Sequence, residues 1–213
     1  REVRRDELNS THHKTLDEGR SERTKYSILY ANIRSILNKL LVFKAYVYDN
    51  KPDIICLCET FLKPSITNAH IALDGYQCVV RQDGTDTMNG KCRGLLIYCK
   101  ASLKPVEFTG VGFKDFVECA GIELPWGQSE MLKIVLVYRP PRLPFSEADR
   151  DNTAKLCHLM ENLQGNVITV GDFNFPSIDW DRNYSNSEGE QKFLDVLEKK
   201  FFTQHVDFPT HKD

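Results

Sequence analysis

Short apolar runs bounded by charged residues, glycine or proline recur from Tyr26 onward, and they read as strands at 26–32, 53–58, 76–81, 94–99, 104–108, 116–124, 131–138 and 167–171. Three stretches break this rhythm with helical spacing. After Ser35 in an N-cap position, Ile36, Leu40, Phe43 and Val47 recur at three- to four-residue steps up to Lys51-Pro52, which predicts a helix near 35–49. Ser146 with Asp149 opens a second over 147–163, with Leu156, Leu159, Met160 and Leu163 as its buried stripe. Ser187 and Glu190 form a capping-box pattern ahead of Phe193, Leu194, Leu197 and Phe201, a third helix near 188–200. Strands interrupted by helices imply two packed sheets with helices outside, an α/β (α+β) class in which Ile28, Ile54, Val135 and Ile168 are expected to share one core.

Length and composition change this picture only at the start of the chain. At 213 residues there is room for one well-cored domain, assigned to 26–213. Residues 1–25 are dense in Arg, Glu, Asp, Ser and His with almost no apolar side chains, so they are expected to be a disordered extension, His12 and His13 included. The 28 basic residues nearly balance 30 acidic ones, which excludes general polyanion binding through net charge and requires any nucleic-acid contact to be local. Seven cysteines without a CxxC pair, and no recognisable signal peptide or long apolar span, point to a reduced intracellular setting with no membrane. Cys56 and Cys58 are then expected as core packing, and the Asn183-Tyr-Ser185 sequon as unused.

Candidate chemistry gathers at strand ends. In Val167 to Asn174 an apolar run closes in Gly-Asp-Phe-Asn, and period-two alternation directs Asp172 and Asn174 to one face while Phe173 points away. An Asx-capped turn is the structural alternative for that tetrapeptide alone. Pro52 to Thr60 delivers Glu59 at the end of a second buried strand, Ile28 to Ile33 ends near Asn32, and Leu132 to Pro141 ends in Tyr138 before two prolines that cannot donate to a ladder. Phe208-Pro-Thr210 forms a short turn close to the last residue.

In order and spacing, Ala-Asn-Ile-Arg-Ser (31–35), Cys-Glu-Thr-Phe-Leu (58–62), Val-Tyr-Arg-Pro-Pro (137–141), Gly-Asp-Phe-Asn (171–174) and Phe-Pro-Thr (208–210) resemble the endonuclease/exonuclease/phosphatase superfamily. Within it the likeness is greatest to the apurinic-endonuclease-like nicking domain of non-LTR (LINE-type) retrotransposons. The resemblance implies a four-layer sandwich of two mostly antiparallel sheets flanked by helices. It also implies Mg2+ or Mn2+ held by Glu59 with Asn32 beside it, Asp172 orienting or deprotonating the attacking water, Asn174 and Tyr138 on the phosphate oxygens, and Thr210 positioning the strand. Hard oxygen donors suit those ions rather than zinc. DNA is the implied partner, a reverse transcriptase domain a further one in a longer protein, and the nucleus the site of action. Relatives continue past the Pro-Thr turn into a Leu-Asp element and a Ser-Asp-His motif; both are missing before Asp213, and His211 and Asp213 stand in the wrong place to replace them. The chain is therefore expected to be C-terminally truncated and impaired. A non-catalytic remnant binding nucleic acid or a protein partner, and a phosphatase of the same superfamily, remain as alternatives. Two loops carry further expectations: Gln82 to Lys91 as a hairpin or substrate-facing loop followed by Lys91-Cys-Arg-Gly94 where relatives have a glycine run, and Trp180 as a wedge against a base or a partly buried ring.

Overall fold

In the computed structural model, residues 24–87, 90–116, 118–141, 146–206 and 208 are described. Most of the polar extension and the expected Thr210, His211 and Asp213 lie outside them.

One sheet has the order β1-β2-β6-β3 and contains β1 (Ile28–Asn32), β2 (Ile54–Cys58), β3 (Tyr76–Gln82) and β6 (Leu95–Lys100). Between β3 and β6 the chain forms a separate antiparallel hairpin of β4 (Thr85–Thr87) and β5 (Gly90–Cys92). The second sheet has the order β10-β9-β8-β7, from β7 (Val106–Glu107), β8 (Cys119–Pro125), β9 (Met131–Tyr138) and β10 (Asn166–Asp172). Each sheet is antiparallel except at one edge, where β1 runs parallel to β2 and β10 parallel to β9. A parallel neighbour needs a crossover. The two crossovers are α1 (Ile36–Asn50) and α2 (Glu147–Asn162), and α3 (Glu188–Lys199) follows β10.

Period two sorts the strand residues into layers. From β2, Ile54, Cys56 and Cys58 meet Ile122, Ile134, Leu136 and Tyr138 between the sheets, while Ile55 and Leu57 face outward to Phe43 and Val47 of α1. On the other side Val135 and Val137 face Leu156, Leu159 and Met160 of α2 and Phe193 and Val196 of α3. The layers are thus helix, sheet, sheet, helix pair, the four-layer sandwich. All of β2 is buried, as its unbroken apolar run requires for a strand covered on both faces. Cys56 and Cys58 are core side chains as expected.

Four expectations are corrected. Ile28 and Ile54 do pack between the sheets, but Val135 belongs to the outer layer because it is one step out of phase with Ile134, and Ile168 lies on β10, the edge strand among the described residues, and is 39% exposed. Ser35 starts α1 without a side-chain cap; its left-handed backbone lets Ser35 N and Ile36 N donate to the carbonyls of Glu59 and Thr60 instead. Ser187 also makes no side-chain cap, and Glu190 turns away to accept from Ser185 Oγ at 2.8 Å. Phe201 lies past the end of α3 in a left-handed conformation and is 93% exposed, so it is not part of the buried stripe. Ser146, in contrast, accepts from Asp149 N as its spacing predicts.

Candidate active site

Four strands of the two sheets bring their C-terminal ends to one rim. In the parallel registers Asn32 lies beside Cys58, the residue before Glu59, and Asp172 lies beside Tyr138. Gly171 permits this closeness: a Cβ there would stand 1.9 Å from Val137 O.

Glu59 leaves β2 in a left-handed conformation (φ 54°), as does Phe61 (φ 51°), which is costly for residues with a Cβ and is maintained only where the surroundings fix the turn. Here they do. Thr60 N donates to Gly94 O, Phe61 N to Arg93 O at 2.9 Å, and Glu59 O accepts from Ser35 N at 2.8 Å. Thr60 and Leu62 are fully buried on either side. The turn is clamped between the start of α1 and the segment entering β6.

The polar ends converge. Asn32 Nδ2 donates to Glu59 Oε1 at 3.0 Å and to Asp172 Oδ2 at 3.2 Å, and Tyr138 OH donates to Glu59 Oε1 at 2.9 Å. Since both neighbours of the amide are acceptors, its nitrogen must face them. Asn32 Oδ1 is left buried with no hydrogen-bond partner among the described residues, an acceptor beside two carboxyl groups. An oxygen ligand to a hard cation would look like this, and the donor set of Glu59, Asp172 and Asn32 fits Mg2+ or Mn2+. Burial and the Glu59 carboxylate both raise the Tyr138 phenol well above its ordinary value, so it stays a donor at neutral pH.

Asn174 stands differently. The strand ends at Asp172, Asn174 is left-handed, and the alternation expected from the sequence no longer applies. Its Nδ2 donates to Arg139 O at 2.7 Å while Arg139 donates to Asn174 O at 2.8 Å. Phe173 points away into the α2–α3 layer, as alternation predicts. Trp180 is 42% exposed on the loop after Phe175, between Asp179 and Tyr184, whose backbones pair.

Three charged residues that sequence reasoning passed over complete the surroundings. Arg93 brings its guanidinium to 3.6 Å from Glu59 Oε2. Glu118 is buried, accepts from Arg93 N at 2.6 Å, and has its carboxyl pushed up to about 7 by burial, offset in part by backbone donors of Arg93 and Gly94. Arg139, 3% exposed, pairs with Asp149, donates to Thr153 Oγ1 at 3.0 Å and covers the Phe175 ring at 4.2 Å. The signal for Arg139 and Glu118 was a charge inside an otherwise apolar stretch; Arg93 was marked only by its segment, Lys91 to Gly94, and by nothing that pointed to Glu59.

A family model described as Endonuclease/Exonuclease/phosphatase family matches residues 22–210. Among solved structures, an AP endonuclease from Archaeoglobus fulgidus is 18% identical, with a TM-score of 0.57 over 82% of this chain and 70% of its own. A 3′ phosphatase, NExo, from Neisseria, bound to product DNA hairpin, is also 18% identical, with a TM-score of 0.59 over 83% of this chain and 71% of its own. The endonuclease domain of TRAS1, a telomere-specific non-LTR retrotransposon, is 14% identical, with a TM-score of 0.54 over 82% of this chain and 72% of its own. At these identities the likeness is one of fold. No curated protein matches the chain. Among the described residues no helix is long and apolar enough to cross a membrane.

Proposed function

The chain belongs to the endonuclease/exonuclease/phosphatase family, and on that footing we propose that it is the DNA-nicking endonuclease domain of a retrotransposon-derived protein. It hydrolyses one phosphodiester of target DNA with Mg2+ or Mn2+, and the freed end primes a reverse transcriptase domain of the longer protein. A chromosomal target implies work in the nucleus. The observation that carries this reading is the convergence of Glu59, Asp172, Asn32 and Tyr138 from four strands onto one rim.

Glu59 and Asn32 Oδ1 would hold the cation. When bound, a divalent ion supplies charge neutralisation at the phosphate and polarises water. Asp172, fixed through Asn32 Nδ2, orients the attacking water and takes its proton. Tyr138 turns its hydroxyl from Glu59 to a non-bridging phosphate oxygen, where charge grows in the transition state. The Asn174 amide has a second hydrogen beyond the one given to Arg139 O, and we assign it to the phosphate with Tyr138. Thr210 is assigned to positioning the strand.

The test is relaxation of supercoiled plasmid in Mg2+ and Mn2+ by the chain and by Glu59→Ala and Asp172→Ala. Nicking that falls to background in both variants supports the proposal; nicking indifferent to both sinks it. Release of phosphate from a 3′-phosphorylated hairpin without nicking points to a phosphatase. Binding of metal and DNA without any cleavage is the outcome for a non-catalytic remnant.

A further inference from the structure

We propose that Phe61 and Arg93 form a nucleobase platform at the rim of the Glu59 cleft, taking an unstacked base beside the scissile phosphate. This rests on the endonuclease reading and specifies the form of substrate that the site accepts.

Thr60 and Leu62 are wholly buried, yet Phe61 between them is 41% exposed. An aromatic ring left in water next to a packed core needs a reason, and the backbone sharpens the question. Both Glu59 and Phe61 are left-handed, so the chain adopts two unfavourable conformations in three residues, and the second faces the ring outward. The strain is held by Phe61 N donating to Arg93 O and Gly84 N donating to Leu62 O. The ring is therefore presented from a rigid base, which keeps the ordering cost of stacking low.

Arg93 supplies the second half. Its guanidinium carbon lies 5.7 Å from the Phe61 ring centroid, and its NH1 lies 3.6 Å from Glu59 Oε2. One side chain thus touches both the carboxylate of the cleft and the aromatic rim. A nucleotide presents the same two features at the same scale, an anion and an adjoining π face. The ring and the guanidinium plane match the face, and the cation matches the anion. A base still stacked in a duplex cannot offer its face to a side chain, so the geometry favours single-stranded, frayed or distorted DNA beside the cut.

The experiment compares binding of two fluorescent oligomers of equal length and charge to the chain in Ca2+ by anisotropy. One is oligothymidylate; the other is the same phosphodiester chain carrying baseless sugars. The chain should prefer the base-bearing strand by at least about fivefold, the low end for one stacked base. Phe61→Ala should bring that ratio close to one while leaving the affinity for the baseless strand unchanged, and Phe61→Trp should retain the preference. A ratio that Phe61→Ala leaves intact, or an absence of preference in the unaltered chain, overturns the platform alone. Failure to bind either oligomer likewise overturns the platform, whereas the endonuclease reading stands or falls by plasmid nicking and its loss in Glu59→Ala.

Discussion

Asn32 and Asp172 lie 140 positions apart on different sheets, and Asn32 Nδ2 donates to Asp172 Oδ2 across 3.2 Å. The same nitrogen gives its other hydrogen to Glu59 at 3.0 Å. One amide therefore fastens the two edges of the sandwich together at the site and keeps two carboxyl groups from facing each other without a donor between them.

Asn32→Ala should destabilise the chain by about 1.5–3 kcal/mol, the range for hydrogen bonds to charged groups. Urea unfolding at neutral pH measures it. An unchanged midpoint would mean that water serves the carboxylates equally well and that the amide does not hold the site closed.

Gly171→Ala should also destabilise, because the added Cβ falls 1.9 Å from the Val137 carbonyl oxygen, a backbone atom that cannot move aside without opening the pairing of β9 and β10. Overpacking of this kind commonly costs about 1–3 kcal/mol and sometimes more. Separated β9 and β10 also displace Asp172 from Tyr138, so amide exchange along Asn166–Asp172 should accelerate in the variant. Exchange like that of the unaltered chain contradicts the close-approach account.

Glu118→Gln tests the buried carboxyl. Burial raises it from 4.5 to about 7, so the folded chain binds this proton more tightly than the unfolded one. The group's contribution is therefore fully present below about pH 4.5, declines as pH rises, and is lost above about pH 7. From that shift the decline amounts to at most about 3 kcal/mol. The amide that replaces the carboxyl has no proton to lose, so stability between pH 5 and 8 should be flatter in the variant and higher at pH 8. An identical pH slope in both proteins would assign the dependence to other groups.

Much of this was legible in the sequence, and the reasons are local. Strand ends such as Tyr138 and Asp172 are marked by an apolar run stopping at a polar residue, and helix faces such as Leu156, Leu159 and Met160 by spacing. The misread positions depend on partners far away in the chain. Ile168 looks like a core residue until β10 proves to be an edge, and Ser35 looks like a cap until the Glu59 and Thr60 carbonyls take that task. Asn174 left the expected face because the strand stops two residues before it, and its amide found Arg139 O. Arg93 and Glu118 could be given no role from the sequence, because their importance arises only when the β6 entry folds against the turn carrying Glu59.

A divalent-metal site at the Glu59 rim is tested by titrating Mn2+ into the chain and following the free ion by electron paramagnetic resonance. One Mn2+ per chain should bind, Glu59→Ala should weaken it at least about tenfold, and Asn32→Ala should weaken it to a similar degree because Asn32 Oδ1 is the acceptor assigned to the ion. Mn2+ binding that neither substitution alters would contradict the account, since the cation would then be held somewhere other than the cleft where the four strands meet.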